Sequence, residues 1–193
     1  MPRRSLPATL ALATLLAAAC KGPAVPHPLN GQTRYLCCNM HYEKPEISDV
    51  NYLKGTLIPF GTRVQVLQVR KSSVEFQPAG HPPITLVLKY GKDATTMDQY
   101  LERIFLREDP HAKLPRAGKD KKQAAAAEKT RKLIEDGVVE PGMTKDEVLM
   151  AIGYPPLHRT PSLGSSQWTY WANRWATFEV YFDGDKVSRT VGR

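Results

Sequence analysis

The chain has few cysteines and no second long apolar run. Its 193 residues include only three cysteines, too few for a disulfide-rich scaffold. Beyond residue 19, no apolar stretch approaches the about 20 residues that a membrane-spanning helix needs. No Ser/His/Asp order, phosphate-binding glycine loop or zinc-ligand spacing stands out. The sequence therefore does not predict an enzyme, a metal centre or a cofactor.

The N-terminus has the layout of a secretory signal. Arg3 and Arg4 precede an apolar run that ends in small residues before Cys20. We predict a cleavable signal peptide over residues 1–19, because the segment before Cys20 resembles the bacterial lipobox. The alternative is an ordinary secretory signal cleaved near Ala19. In the first interpretation Cys20 carries a thioether-linked diacylglycerol and an acylated amine, and several acyl chains make the anchor effectively permanent.

The residue after the cysteine bears on localisation. In the lipoprotein pathway an Asp at this position retains the protein at the inner membrane, and Lys21 stands there in this chain. We therefore expect a lipid anchor at the periplasmic face of the outer membrane. Without Arg3 and Arg4 the chain keeps 25 basic residues against 19 acidic ones. This balance favours anionic phospholipid or an acidic protein partner over nucleic acid, because the charges are scattered and an exported protein rarely meets nucleic acid.

Prolines, glycines and charge runs divide the rest of the chain. A proline-rich tether is predicted over residues 20–33, followed by a small β-rich domain over 34–107. A charged linker over 108–122 separates this domain from a second one over 123–193. The predicted fold class is α+β.

Short strands and one helix make up the first predicted domain. Arg63 to Val69 is a strand whose apolar residues change sides, which predicts a bulge. Strands around Val74 and from Ile84 to Leu88 follow. Thr96 and Gln99 form a capping box that opens a helix. Bent strands with a single helix predict an SH3-like barrel or half-barrel.

The second predicted domain has the order helix, helix, strand, strand, strand. An alanine-rich helix covers residues 122–136, with Ala126, Thr130, Leu133 and Ile134 as its packing stripe. Thr144 and Glu147 form a second capping box, and Gly153 ends the short helix that follows. Strands are predicted over 167–172, 175–182 and 186–191, with a hairpin turn at 183–185.

Several motifs in this second region resemble one protein family. They are Gly142-Met143-Thr144-Lys145-Asp146-Glu147-Val148, Gly153-Tyr154-Pro155, Trp168-Thr169-Tyr170-Trp171 and Val180-Tyr181-Phe182-Asp183-Gly184. In order and spacing, residues 128–191 resemble the SmpA/OmlA (BamE-like) family of outer-membrane lipoproteins. The resemblance implies two helices packed on a three-stranded antiparallel sheet and a non-catalytic scaffold role. It also implies contact with envelope proteins such as the β-barrel assembly machine and with anionic phospholipid.

Aromatic and basic residues of this region are candidate contacts for a partner or for lipid. They are Trp168, Tyr170, Trp171, Arg174, Trp175 and Arg159. Pleating sends Trp168 and Tyr170 to one face of their strand and Trp171 to the other. The alternative interpretation places most of the rings against the two helices and leaves the basic residues as solvated surface. Exposed aromatics would instead favour an interface.

Cys37 and Cys38 are adjacent, which makes a bridge between them doubtful because the ring would be small and strained. We favour two unbridged buried residues over a bond to another chain. With His41 the pair also suggests a metal site, but a fourth ligand is not apparent.

Three functions compete. The first is a non-enzymatic outer-membrane scaffold in envelope or β-barrel assembly. The second is an envelope lipoprotein whose first domain binds peptidoglycan or peptide. The third is an inhibitor-type protein, because the same helix and strand order is also found in such proteins.

Overall fold

The computed structural model describes residues 26–116 and 120–192. The predicted signal peptide, the lipidation residue Cys20 and the residue Lys21 lie outside these ranges. The described residues form an α+β fold with three α-helices and several sheets. None of their helices is long and apolar enough to cross a membrane. We refer to residues 26–116 as the first lobe and to residues 120–192 as the second lobe.

Eight strands and one helix form the first lobe. The strands are β1 Thr33–Leu36, β2 Met40–Tyr42, β3 Glu46–Ser48, β4 Thr56–Ile58, β5 Arg63–Val69, β6 Ser73–Pro78, β7 Ile84–Val87 and β8 Phe105–Leu106. Six of them make one sheet in the order β3-β7-β6-β5-β1-β8, and β2 pairs with β4 separately. All pairings are antiparallel except that of β3 with β7.

Strand β5 contains the irregularity that its sequence predicts. Its register against β6 shifts between Val66 and Gln68. The shift keeps Val64 and Val66 buried in the core and leaves Leu67 40% exposed. An extra residue in one strand of a pair has this effect because it turns the following side chains relative to the partner strand.

Helix α1, Met97–Ile104, packs on this sheet. The capping box predicted at its start is present, since Thr96 accepts from the Gln99 amide and the Gln99 side chain accepts from the Thr96 amide. Its apolar face buries Leu101 and Ile104 in the first hydrophobic cluster. The helix therefore closes the core of the first lobe.

The second lobe has the predicted element order. Helices α2 (Lys121–Glu135) and α3 (Lys145–Ile152) are followed by β9 (Gln167–Trp171), β10 (Thr177–Asp183) and β11 (Lys186–Val191). The three strands form an antiparallel sheet in the order β11-β10-β9. The Thr144 and Glu147 capping box is present, and Gly153 ends α3 at a φ of 81°, a value that favours glycine. Helix α2 departs from the predicted stripe, because Ala127 rather than Ala126 is buried.

Both predicted connecting segments are partly folded. Within the predicted tether, the Gly31 amide donates to Val66 O at 2.8 Å and the Val69 amide donates to the Asn30 side chain at 2.8 Å. Within the predicted linker, a 3-10 turn spans Pro110–Lys113, and Pro115 O accepts from Arg131 Nε at 2.7 Å. The described ends of these segments therefore belong to the packed lobes.

Candidate functional site

Two asparagines of the first lobe hold the end of helix α3. The backbone amide of Asn39 donates to Met150 O at 3.0 Å, and its side chain donates to Ala151 O at 3.0 Å. The Asn51 side chain donates to Ile152 O at 3.3 Å. The last carbonyls of a helix have no partner within the helix. The first lobe therefore supplies the cap that α3 cannot make for itself.

The Asn39 side chain also reaches two further elements. It is fully buried, donates to Ile134 O at 2.5 Å near the end of α2, and accepts from the Phe60 amide at 2.6 Å. Phe60 in turn packs in the hydrophobic cluster of the second lobe. These contacts fix how the two lobes meet, and they position the surface beside them.

That surface contains a groove between the lobes. It consists of two cavities of about 280 Å³ and 80 Å³ that share Tyr52, Tyr90 and Arg174 in their walls. The larger cavity adds residues of β2, β3 and their connections, and the smaller adds His158 and Trp171. We call the two cavities together the interlobe groove. Its position is typical of ligand sites, which favour boundaries between domains.

A buried carboxylate positions the tyrosine in the wall of the groove. The Asp49 side chain accepts from the backbone amides of Lys89, Tyr90 and Gly91 at 2.9, 3.0 and 2.6 Å. Three amide donors satisfy most of the lone pairs of an ionised carboxylate. Asp49 thereby shapes the turn after β7 and presents the Tyr90 ring at the surface.

The two tyrosines of the groove interact. Burial, followed by a hydrogen bond with Tyr90, raises the pKa of Tyr52 to about 12. The His158 ring lies 5.6 Å from the Tyr90 ring, centroid to centroid, and Lys89 Nζ lies 5.2 Å from the Tyr90 centroid. The groove therefore combines phenol groups, aromatic faces and cations.

The structure separates the six predicted contact residues. Trp168 and Tyr170 are 0% and 1% exposed and belong to the core of the second lobe, so the prediction that they contact a partner or lipid is wrong. Their strand face packs against the helices, and the Tyr170 hydroxyl donates to Gly153 O at 3.0 Å. Trp171 and Arg174 meet in the smaller cavity. Trp175 is 87% exposed, and Arg159 is exposed outside the walls of both cavities.

Sequence reasoning missed the first-lobe half of the groove. Tyr52, Lys89 and Tyr90 come from two separate connections, and no motif joins them to Trp171 or Arg174. The proximity of Tyr90 to Asp49 depends on how β3 pairs with β7, a parallel contact between distant segments. A local pattern has no signal for such a contact.

Cys37 and Cys38 form a disulfide in the structure, whereas the sequence favours two unbridged residues. Both side chains are buried beside each other, as expected. A bonded pair offers no thiolate to a metal, and the described residues contain no group of three or more His, Cys, Asp or Glu side chains arranged to hold one.

Comparison of the chain with models of protein families, with curated proteins and with solved structures finds no match. The resemblance to the SmpA/OmlA family therefore rests on the motifs of residues 128–191.

Proposed function

We propose that this protein is a non-enzymatic lipoprotein of the bacterial outer membrane that acts as an adaptor in envelope or β-barrel assembly. Lipid on Cys20 would tether it to the periplasmic face of the membrane, and the folded lobes would contact protein partners and anionic phospholipid. The signal layout before Cys20 and the motifs of residues 128–191 support this proposal.

The observation that carries the adaptor role is the tip of the β9–β10 hairpin. Trp175 is 87% exposed there and lies next to the exposed Arg174. The Asn173 side chain accepts from the Trp175 and Ala176 amides at 2.8 and 3.1 Å, which holds the backbone of the tip in place. Trp and Arg are enriched among the residues that dominate protein interfaces. A partner that covers Trp175 would remove a large apolar ring from water.

The finer fold assignments are part of the same proposal. The second lobe would be a BamE-like domain, and its helix order and three-stranded antiparallel sheet agree with that assignment. The first lobe would be an SH3-like domain, which agrees with its short strands, bulged β5 and single helix.

Crosslinking in intact cells tests the adaptor role. A photoreactive residue at Trp175 should form adducts with subunits of the β-barrel assembly machine, identified by mass. The matched control is Leu163, an exposed apolar residue of the same lobe, which should give few adducts. Equal adducts from both positions, or recovery only with purified cell wall, would contradict the proposal. The second result would favour the peptidoglycan-binding alternative.

Labelling with palmitate tests the anchor. Cys20→Ser should abolish incorporation of the label and move the protein from the membrane fraction to the soluble periplasmic fraction. Cys38→Ser is the matched control, since it removes a different cysteine and should keep the label. Retention of label in Cys20→Ser would overturn the anchor. A stable soluble form of the unaltered protein in the culture medium would favour the inhibitor-type alternative.

A further inference from the structure

The interlobe groove has more positive than negative charge. Among the charged residues in the wall of its larger cavity, Lys54 pairs with Glu43 at 3.1 Å. Lys44, Lys89 and Arg174 make no ion pair with any residue of the described ranges, and Glu46 is the carboxylate left to oppose them. Cations that share a concave site focus its potential and favour an anion there.

Aromatic side chains share the smaller cavity with Arg174. Tyr52, Tyr90, His158 and Trp171 line the smaller cavity together with Arg174. Ring pairs are favourable at centroid distances of about 4.5–7 Å, and the Tyr90 and His158 rings already show such a spacing at 5.6 Å. A planar apolar group next to the anion would continue this arrangement.

Two residues in the walls of the groove have a buried polar atom without a hydrogen-bond partner in the described part of the chain. Trp171 lines the smaller cavity and Ser48 the larger one, and their Nε1 and Oγ atoms are buried with no hydrogen-bond partner among the described residues. Buried donors of this kind are rare in folded proteins and call for an explanation. A ligand with acceptor oxygens would supply one.

We propose that the interlobe groove binds a carboxylate that lies next to an aromatic ring. The carboxylate would contact the Arg174 guanidinium, whose planar fork matches the two oxygens of a carboxylate, and the ring would lie against Tyr52, Tyr90 and Trp171. Lys89 and Lys44 in the wall of the larger cavity add positive charge.

Such a carboxylate has two sources, a free aromatic acid and the C-terminus of a peptide that ends in an aromatic residue. Titration calorimetry on the full-length chain in mild detergent distinguishes them with matched probes. N-acetyl-phenylalanine and the peptide Gly-Gly-Phe should both bind. Tighter binding of the peptide assigns the site to a chain end, and equal binding assigns it to a small acid.

A neutral probe tests whether the carboxylate is needed for binding. N-acetyl-phenylalanine amide has the same ring without the carboxylate and should bind at least about tenfold more weakly, the loss of one charge-assisted contact. Binding of the amide as tight as that of the acid would overturn the proposal, and so would the absence of heat from the acid at millimolar concentration.

Matched arginine variants locate the site. Arg174→Gln should weaken the binding of N-acetyl-phenylalanine at least about tenfold. Arg159 is an exposed arginine outside both cavities, so Arg159→Gln should leave this binding unchanged. Equal effects of the two variants would place any binding outside the groove. Because the probes and variants need neither lipid nor an envelope partner, failure here leaves the adaptor proposal standing, and the reverse holds too.

Discussion

Replacing Asn39 with alanine should weaken the junction between the two lobes more than any exposed substitution. Its side chain is fully buried and makes three hydrogen bonds, to the Phe60 amide, Ala151 O and Ile134 O. Ile134 O also accepts from the Gly137 amide at 3.1 Å, so it keeps a partner in the variant. The Phe60 amide and Ala151 O each lose the partner that Asn39 supplies.

The magnitude follows from these two groups. A buried polar group left without a partner costs about 1–3 kcal/mol. Two such groups give an expected loss of about 3 kcal/mol in the free energy of unfolding, allowing for partial relaxation. For a chain of this size that corresponds to a decrease in Tm of about 6–12 °C. Asn39→Asp should be at least as harmful, because a carboxylate keeps the Phe60 bond but repels both carbonyl oxygens.

Urea unfolding of the full-length chain, followed by tryptophan fluorescence and circular dichroism, measures the effect. The matched control is Asn173→Ala, which removes a half-exposed side chain that bonds only within its own hairpin and should cost less than about 1 kcal/mol. An Asn39→Ala variant within about 0.5 kcal/mol of the unaltered protein would refute the reasoning that this residue holds the lobes together.

Three further outcomes are expected. Thr144→Ala removes the N-terminal cap of α3 and should lower the free energy of unfolding by about 1 kcal/mol in the same assay. Gly153→Ala should lower the free energy of unfolding more than Gly142→Ala. Both glycines have positive φ, but a Cβ at Gly153 would lie 3.1 Å from Asn51 Nδ2, whereas a Cβ at Gly142 would have no heavy atom of the described residues within 4 Å. Equal losses of stability in the two variants would contradict this effect of crowding at Gly153. Folding raises the pKa of Tyr52 from 10.0 to about 12. The contribution of this tyrosine to folding stability is therefore complete below pH 10.0 and is lost as the pH rises to about 12. Tyr52→Phe should therefore flatten the alkaline decrease in stability, and an unchanged slope would contradict the shift.

Local signals predicted the elements whose determinants lie within a few residues. The capping boxes at Thr96 and Thr144 were predicted with the correct start of each helix. Gly153 marked the end of α3, and the β5 bulge followed from its side-switching pattern. A cap or a bulge is formed by neighbouring residues, so its signal survives in the sequence.

Pairings between distant segments left no such signal. Strands β1 and β8 pair across about 70 residues, and neither was predicted as a separate strand. The packing stripe of α2 was wrong at Ala126, since Ala127 is buried instead, whereas Leu133 and Ile134 pack in the core as predicted. Consecutive alanines carry no local signal for which of them faces the core. Of the six candidate contact residues, Trp168 and Tyr170 are core residues because their strand face packs against the helices; the other four remain predictions.

By itself the sequence determined the α+β class, the order of elements in the second lobe and the faces of β9. Its alternation separated Trp168 and Tyr170 from Trp171, as the structure confirms. Only the tertiary structure decided what covers each face. The helices bury the first pair, whereas Trp171 lines the smaller cavity together with Tyr52 and Tyr90 of the first lobe. Periodicity records which side of a strand a residue occupies, but the element that lies on that side is set by the packing of other segments of the chain.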